Sequence, residues 1–178
     1  MASDSPLPIR LAQTLGITTS LILAGVNASL SIFLIPRLLE SPTPLLLKQW
    51  SRMYEAGKAV GRPAGIIAAL SFFYLSYHHH TSSTSAFVNN TNAWGYLTAG
   101  LLSIGIVPYT ILVIMPTNNK LLKKADETKS LAKEDHVVEV GLGDETAHQL
   151  ADWWGVLNLG RGVMLTASGV LGLWLALN

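Results

Sequence analysis

Four long apolar runs separated by polar connections set the plan of this chain, at about residues 11–35, 61–78, 94–115 and 156–177. A helix rises about 1.5 Å per residue, so roughly 20 residues cross a hydrocarbon core about 30 Å thick. Each run has the length for one crossing. Lipid offers backbone N–H and C=O groups no partner, so each run is expected as an α-helix that bonds within itself. The expected fold is all-α: an integral membrane four-helix bundle over residues 11–178, a single domain, preceded by a short flexible tail at 1–10. The first run carries Thr18, Thr19, Ser20, Asn27, Ser29 and Ser31, which suits a helix enclosed by others. It is long for the apolar core of a signal peptide and is expected to be retained.

The connections have patterns of their own. Pro36 is expected to end the first helix, and residues 45–58 read as an amphipathic helix lying along the membrane surface. Trp50, Tyr54, Gly57 and Gly61 share one face of it, while Lys48, Arg52, Glu55 and Lys58 mostly face elsewhere. Gly61-Arg62-Pro63-Ala64-Gly65 opens the second span, with proline tolerated in a first turn and a small-xxx-small spacing that lets helices approach closely. Pro108 should kink the third span by removing a backbone donor. Lys120 to Asp152 then reads as a charged cytoplasmic helical loop, broken at Gly141 to Gly143.

Composition sharpens this picture. Of 178 residues, 49% are hydrophobic and 13% charged, about half the usual charged share, and the mean hydropathy is +0.38. The lipid bilayer is therefore the first partner. A net charge of +1 without a dense basic block gives no reading as a nucleic-acid binder. The absence of cysteine excludes disulfides, thiolate nucleophiles, iron–sulfur clusters and thiolate-ligated haem.

Charge asymmetry sets the orientation. Arg37, Lys48, Arg52, Lys58 and Arg62 join spans one and two, and Lys120, Lys123, Lys124, Lys129 and Lys133 join spans three and four, against Arg10 on the other side. Both charged connections are expected in the cytoplasm, with the termini lumenal, in the endoplasmic reticulum or another endomembrane. Asn89-Asn90-Thr91 then puts a glycosylation acceptor, Asn89, on the lumenal side. Tight packing motifs leave a homo-oligomer open.

The candidate chemistry lies where the last span begins. At helical spacing Trp154, Asn158, Arg161 and Leu165 form one stripe, aromatic, then amide, then cationic. An arginine in hydrocarbon costs a few kcal/mol or more, so it faces a protein interior, snorkels, or binds something polar. Tryptophan pairs at an interface and a snorkelling arginine are the purely structural alternative. Trp50 and Tyr54 from the surface helix, and Asn118 and Asn119 from the end of span three, are expected at the same cytoplasmic mouth. Such residues suit a flat apolar aromatic ligand with a few oxygens, stacked on indoles and held by Arg161 and Asn158.

A competing set is Glu145, His148 and Asp152, which share a helical face and include the Glu-x-x-His spacing of carboxylate-bridged metal sites. Such sites need the motif twice, and the spans hold no Asp or Glu, so a metal at Glu145, His148 and Asp152 is the minor alternative. On one straight helix, His148 and Arg161 stand about 20 Å and roughly 140° apart. They meet only if the helix breaks, for instance at Gly155.

Taken together, the four spans without cysteine, the Trp50-x-x-x-Tyr54-x-x-Gly57 face, Pro63, the Pro116-Thr117-Asn118-Asn119-Lys120-Leu121-Leu122 exit and the Trp154-x-x-x-Asn158-x-x-Arg161 stripe resemble the fungal anthrone oxygenase-like membrane proteins. That resemblance implies a role in secondary metabolism: oxidation of an anthrone-like aromatic polyketide to a quinone, with O2 as co-substrate and no flavin or haem. Arg161 and Asn158 would then hold the oxyanion, Trp50 and Trp154 would stack on the rings, with Asn118 and Asn119 beside them, and Tyr54 or His148 would move the proton. The alternatives are a cofactor-free cyclase or isomerase of a polyketide or terpenoid intermediate on the same scaffold, and a non-catalytic four-span partner protein.

Overall fold

A computed structural model of the chain describes residues 6–82, 91–131 and 146–178, and their regular structure is entirely helical. Helix α1 (Leu7–Ser29) passes through a π-helical segment, Leu30–Leu34, into α2 (Ile35–Leu39). Helix α3 runs over Thr43–Ser82. Helix α4 (Thr91–Tyr109) passes through a second π-helical segment, Thr110–Ile114, into α5 (Met115–Leu131), and α6 is Ala147–Leu177. Four helical stretches, Leu7–Leu39, Thr43–Thr81, Thr91–Lys129 and Ala147–Leu177, are long and apolar enough to cross a membrane. The protein is an integral membrane four-helix bundle.

Three boundaries differ from expectation, each for a physical reason. Pro36 does not end the first helix. A proline lacks an N–H and its ring collides with the carbonyl four residues back. For Pro36 and Pro116 those carbonyls belong to Ile32 and Leu112, both inside π-helical segments, where the wider turn relieves the collision. The Ile35 N–H bonds the Leu30 carbonyl and the Met115 N–H bonds that of Thr110, five residues back in each case. Each proline stands two residues beyond its segment. In the third span Pro108 lies within the last turn of α4, and the break in α-helical bonding follows it at Thr110–Ile114.

The second difference is that residues 45–58 are not a separate surface helix. They are the first third of α3, which continues through Gly61, Arg62 and Pro63 into the second span. Third, α6 begins well before residue 156. Thr146 Oγ1 accepts the Gln149 N–H at 3.2 Å while Gln149 Oε1 accepts the Thr146 N–H at 3.0 Å. This reciprocal capping box starts the helix one residue later, at Ala147. Gly155 does not break it; a Cβ there would stand 3.2 Å from Ile35 Cγ2, so the missing side chain lets α6 approach α2.

The chain divides into two compact units. One comprises Met1–Val26, Gly61–Ile106 and Gly162–Asn178. Its interior is built on Phe72, Leu75, Tyr96 and Ala99, with Ile9 and Ile17 around them. Of the small-residue pair at its edge, Gly65 packs against Ile106 whereas Gly61 borders open space. A polar ladder crosses the same unit: Ser20 Oγ and Ser103 Oγ are 3.3 Å apart, Ser103 Oγ and Ser168 Oγ 2.8 Å, and Ser168 donates to the Ala99 carbonyl at 2.7 Å. All three serines are fully buried. Each hydroxyl has one proton, so the ladder has one direction, from Ser20 through Ser103 and Ser168 to the carbonyl. In lipid such bonds tie helices together at about 1 kcal/mol each. Ser103→Ala, which removes the middle rung, is expected to cost about 1–2 kcal/mol in a detergent unfolding titration. An unchanged midpoint would show that the ladder carries no stability.

The second unit comprises Asn27–Val60 and Val107–Arg161. Its apolar cluster joins Ile35 and Leu38 from α2, Leu46, Leu47 and Trp50 from α3, Ile114 and Leu121 from the third span, and Leu150, Ala151 and Trp154 from α6. Both π-helical segments fall within it.

Candidate functional site

The candidate site lies within this second unit. Trp50, Asn118, Trp154 and Asn158 are all buried, and the sequence places them on three different spans. The rings of Trp50 and Trp154 meet edge to face, with centroids 5.9 Å apart and planes at 89°. Tyr54, one turn after Trp50, stacks on it at 5.3 Å and 9°. Trp154 Nε1 donates to Asn118 Oδ1 at 2.8 Å, which fixes the indole against the end of the third span. The outer ring is Tyr54, half-buried, with Lys58 Nζ 5.3 Å from its centroid.

One turn beyond Trp154 the polar part begins. Asn158 Nδ2 donates to the Asn27 carbonyl at 2.9 Å and to Ser31 Oγ at 3.1 Å. Its Oδ1 accepts a hydrogen bond from Arg161 Nη2. The arginine is half-buried. Its Nε is shut off from solvent and has no hydrogen-bond partner among the described residues. The same is true of Trp50 Nε1. Tyr54 and Tyr109 both lie within electrostatic reach of the guanidinium. Tyr109 donates its phenol proton to the Leu157 carbonyl at 2.9 Å. It lies against Gly160, where an added Cβ would run into the Tyr109 hydroxyl. The unit thus holds a cation, two N–H donors without a partner among the described residues, and the phenol of Tyr54.

The structure brings together most of the residues singled out above, and separates others. Arg161, Asn158, Trp154, Asn118, Trp50 and Tyr54 belong to one unit, in which Trp50 touches Tyr54 and Trp154, Trp154 bonds Asn118, and Asn158, one turn further along α6, bonds Arg161. Asn119 is exposed, one position around the helix from buried Asn118. His148 is half-buried, and its Nε2 donates to the Ser41 carbonyl at 3.1 Å, closing the turn between α2 and α3. Since α6 is unbroken, His148 keeps its separation from Arg161. Asp152 is exposed, and Glu145 lies outside the described residues, as does Asn89. Among the described residues no three His, Cys, Asp or Glu side chains gather to hold a metal. Tyr54 covers one face of the Trp50 indole. Asn27, Ser31 and Tyr109 are additions. Ser31, a polar residue inside an apolar helix, had a signal in the sequence; Asn27 contributes its backbone carbonyl, which any residue would supply and no residue type reveals.

Comparison with known proteins gives one consistent result. The sequence model of a family described as anthrone oxygenase matches residues 50–171. The chain is similar to the anthrone oxygenase encC of Aspergillus fumigatus, with 29% identity over 94% of this chain and 93% of that one. It is similar to the anthrone oxygenase AgnL2 of Paecilomyces divaricatus, also at 29% identity, over 90% and 92% of the two chains. The noranthrone monooxygenase of Aspergillus flavus is 24% identical over 90% of this chain and 71% of its own. No solved structure matches.

Proposed function

Since the chain belongs to the anthrone oxygenase family, we propose that it is a membrane monooxygenase of fungal secondary metabolism that oxidises an anthrone-like aromatic polyketide to a quinone with O2, using no flavin, haem or metal. The methylene of an anthrone is acidic because its carbanion is an enolate delocalised over both rings. Removal of one methylene proton gives an anion that passes one electron to O2. Recombination of the two radicals forms a C–O bond at that carbon, protonation gives the hydroperoxide, and loss of water leaves the new carbonyl. One oxygen atom of O2 enters the quinone and the other leaves as water. The protein must then hold an oxyanion, relay a proton and exclude bulk water.

One observation carries this reading: the Arg161 Nε is a buried donor, without a partner among the described residues, on a cation inside a candidate membrane span. Such a donor is costly to maintain and suited to an oxyanion that arrives with the substrate. We assign Arg161 to the enolate oxygen, with Asn158 fixing the guanidinium. Trp50 and Trp154 form the aromatic wall. Tyr54, the half-buried ring at the edge of the cluster, moves aside to uncover Trp50 and relays the proton. His148, committed to the Ser41 carbonyl, has a structural role. The substrate enters from the bilayer, and the charged connections face the cytoplasm.

The test is a microsomal assay with a peri-dihydroxylated anthrone under labelled oxygen, with the autoxidation of empty membranes subtracted. The expected product is a quinone carrying one labelled atom, at a rate proportional to the protein present. Substrate consumption without label would replace the proposal with a cyclase or isomerase, and a rate equal to empty membranes would leave a non-catalytic membrane protein.

A further inference from the structure

The acceptors that hold Asn158 come from the first span, next to a segment with a backbone irregularity of its own. Ser31 is the second residue of the π-helical segment Leu30–Leu34, and Asn27 stands one turn before it. Ser31 Oγ also donates to the Asn27 carbonyl at 3.2 Å. A primary amide has two N–H donors on one nitrogen and one acceptor oxygen. In Asn158 the nitrogen faces two oxygens, the Asn27 carbonyl and Ser31 Oγ, while the oxygen faces a guanidinium.

This arrangement admits one amide orientation. Turned over, the amide would set its oxygen against the Asn27 carbonyl, and against a serine hydroxyl whose only proton is already given to that carbonyl. It would also set its N–H groups against the N–H groups of Arg161. Two of the three contacts then become like against like, and the third survives only if Ser31 withdraws its proton from the Asn27 carbonyl, all at a fully buried amide.

We propose that Ser31, acting with the Asn27 carbonyl, is a positioning residue for Arg161: it locks the Asn158 amide with its oxygen toward the guanidinium, so that Nη2 is engaged and Nε is left for the substrate oxyanion. The π-helical segment belongs to the same device. The widened turn at Ile32 relieves the ring of Pro36, and that turn carries Ser31. π-Bulges recur at functional sites because they re-aim side chains that a regular helix would place elsewhere. The proposal rests on the assignment of Arg161 to the oxyanion.

Ser31→Thr and Ser31→Val differ only in a hydroxyl against a methyl, and threonine can make the same bond to the carbonyl four residues back. Both are assayed in the full chain in microsomes with a peri-dihydroxylated anthrone, normalised to protein that extracts monodisperse in mild detergent. Ser31→Thr should stay within about twofold of wild type, whereas Ser31→Val should lower kcat roughly five- to tenfold with KM unchanged, the loss of one hydrogen bond that acts on the transition state. In an Asn158→Ala background Ser31→Val should cause no further loss, because the interaction it removes is already gone. Equal activity of the threonine and valine variants, or a valine effect that persists without Asn158, would overturn the proposal. Arg161→Ala measured in parallel separates the two readings. Its inactivity beside a wild-type Ser31→Val sinks only the positioning role, while a fully active Arg161→Ala sinks both.

Discussion

Arg161→Ala will lower kcat for anthrone oxidation by about a hundred- to a thousandfold, the usual cost of removing an oxyanion donor from a dry site. The loss should appear in kcat and kcat/KM alike, because the enolate charge develops only as the methylene proton leaves. Folding should be retained. Removing the guanidinium deletes a buried, unpartnered Nε and a charge within a candidate span, and both deletions favour the folded state in lipid. The Asn158 amide keeps its two bonds to Asn27 and Ser31. Arg161→Lys should still lose about tenfold or more, since an ammonium cannot bond Asn158 and a substrate oxygen through a planar fork. Oxygen uptake by membranes with equal amounts of extractable protein measures both. A lysine variant with wild-type kcat would mean that charge alone matters.

Trp50→Ala will be the most destabilising single truncation in the second unit, at about 3–5 kcal/mol. Trp50 is fully buried at the meeting point of two aromatic contacts, a stacked one with Tyr54 and an edge-on one with Trp154. Truncation leaves a cavity that Tyr54 and Trp154 fill incompletely, because Trp154 is tethered to Asn118. Trp50→Phe should cost less than half as much. It keeps a ring beneath Tyr54 and removes an indole N–H that has no partner among the described residues. Unfolding titrations in mixed micelles give the comparison. Equal losses for Phe and Ala would show that the stack contributes little and that indole size is what counts.

Most of the candidate site was legible because its main stripe is local. The positions of Trp154, Asn158 and Arg161 relative to one another depend only on helical spacing, and α6 is unbroken through all three. The same holds for Trp50 and Tyr54 on α3. Spacing does not reveal which helix stands opposite. The Asn27 carbonyl and Ser31 became visible as partners of Asn158 only once the first span was seen beside α6, a contact across 131 residues in one case and 127 in the other. Tyr109 was hidden likewise, behind a bond to a backbone carbonyl 48 residues away.

The misread boundaries share a different cause. Pro36 reads as a helix end because proline disfavours an α-helix interior, and Pro63 reads as the first turn of a new helix because proline is tolerated there. One is accommodated by a π-helical segment, and the other lies inside α3 with no such segment beside it. Neighbouring side chains also diverge: Asn118 and Asn119 were taken together, yet successive residues on a helix point about 100° apart, and only Asn118 faces inward. The early start of α6 has a local signal that the apolar run does not carry, the capping-box spacing of Thr146 and Gln149 ahead of residue 156.

The central claim is that a half-buried guanidinium held by an amide takes the negative charge of the substrate. Its most direct test is labelled-oxygen incorporation into the quinone by wild-type and Arg161→Ala membranes side by side, from the same anthrone, with autoxidation subtracted. The account predicts one labelled atom per quinone from the wild type, and a rate within error of empty membranes from the variant. Equal incorporation by the two would contradict it.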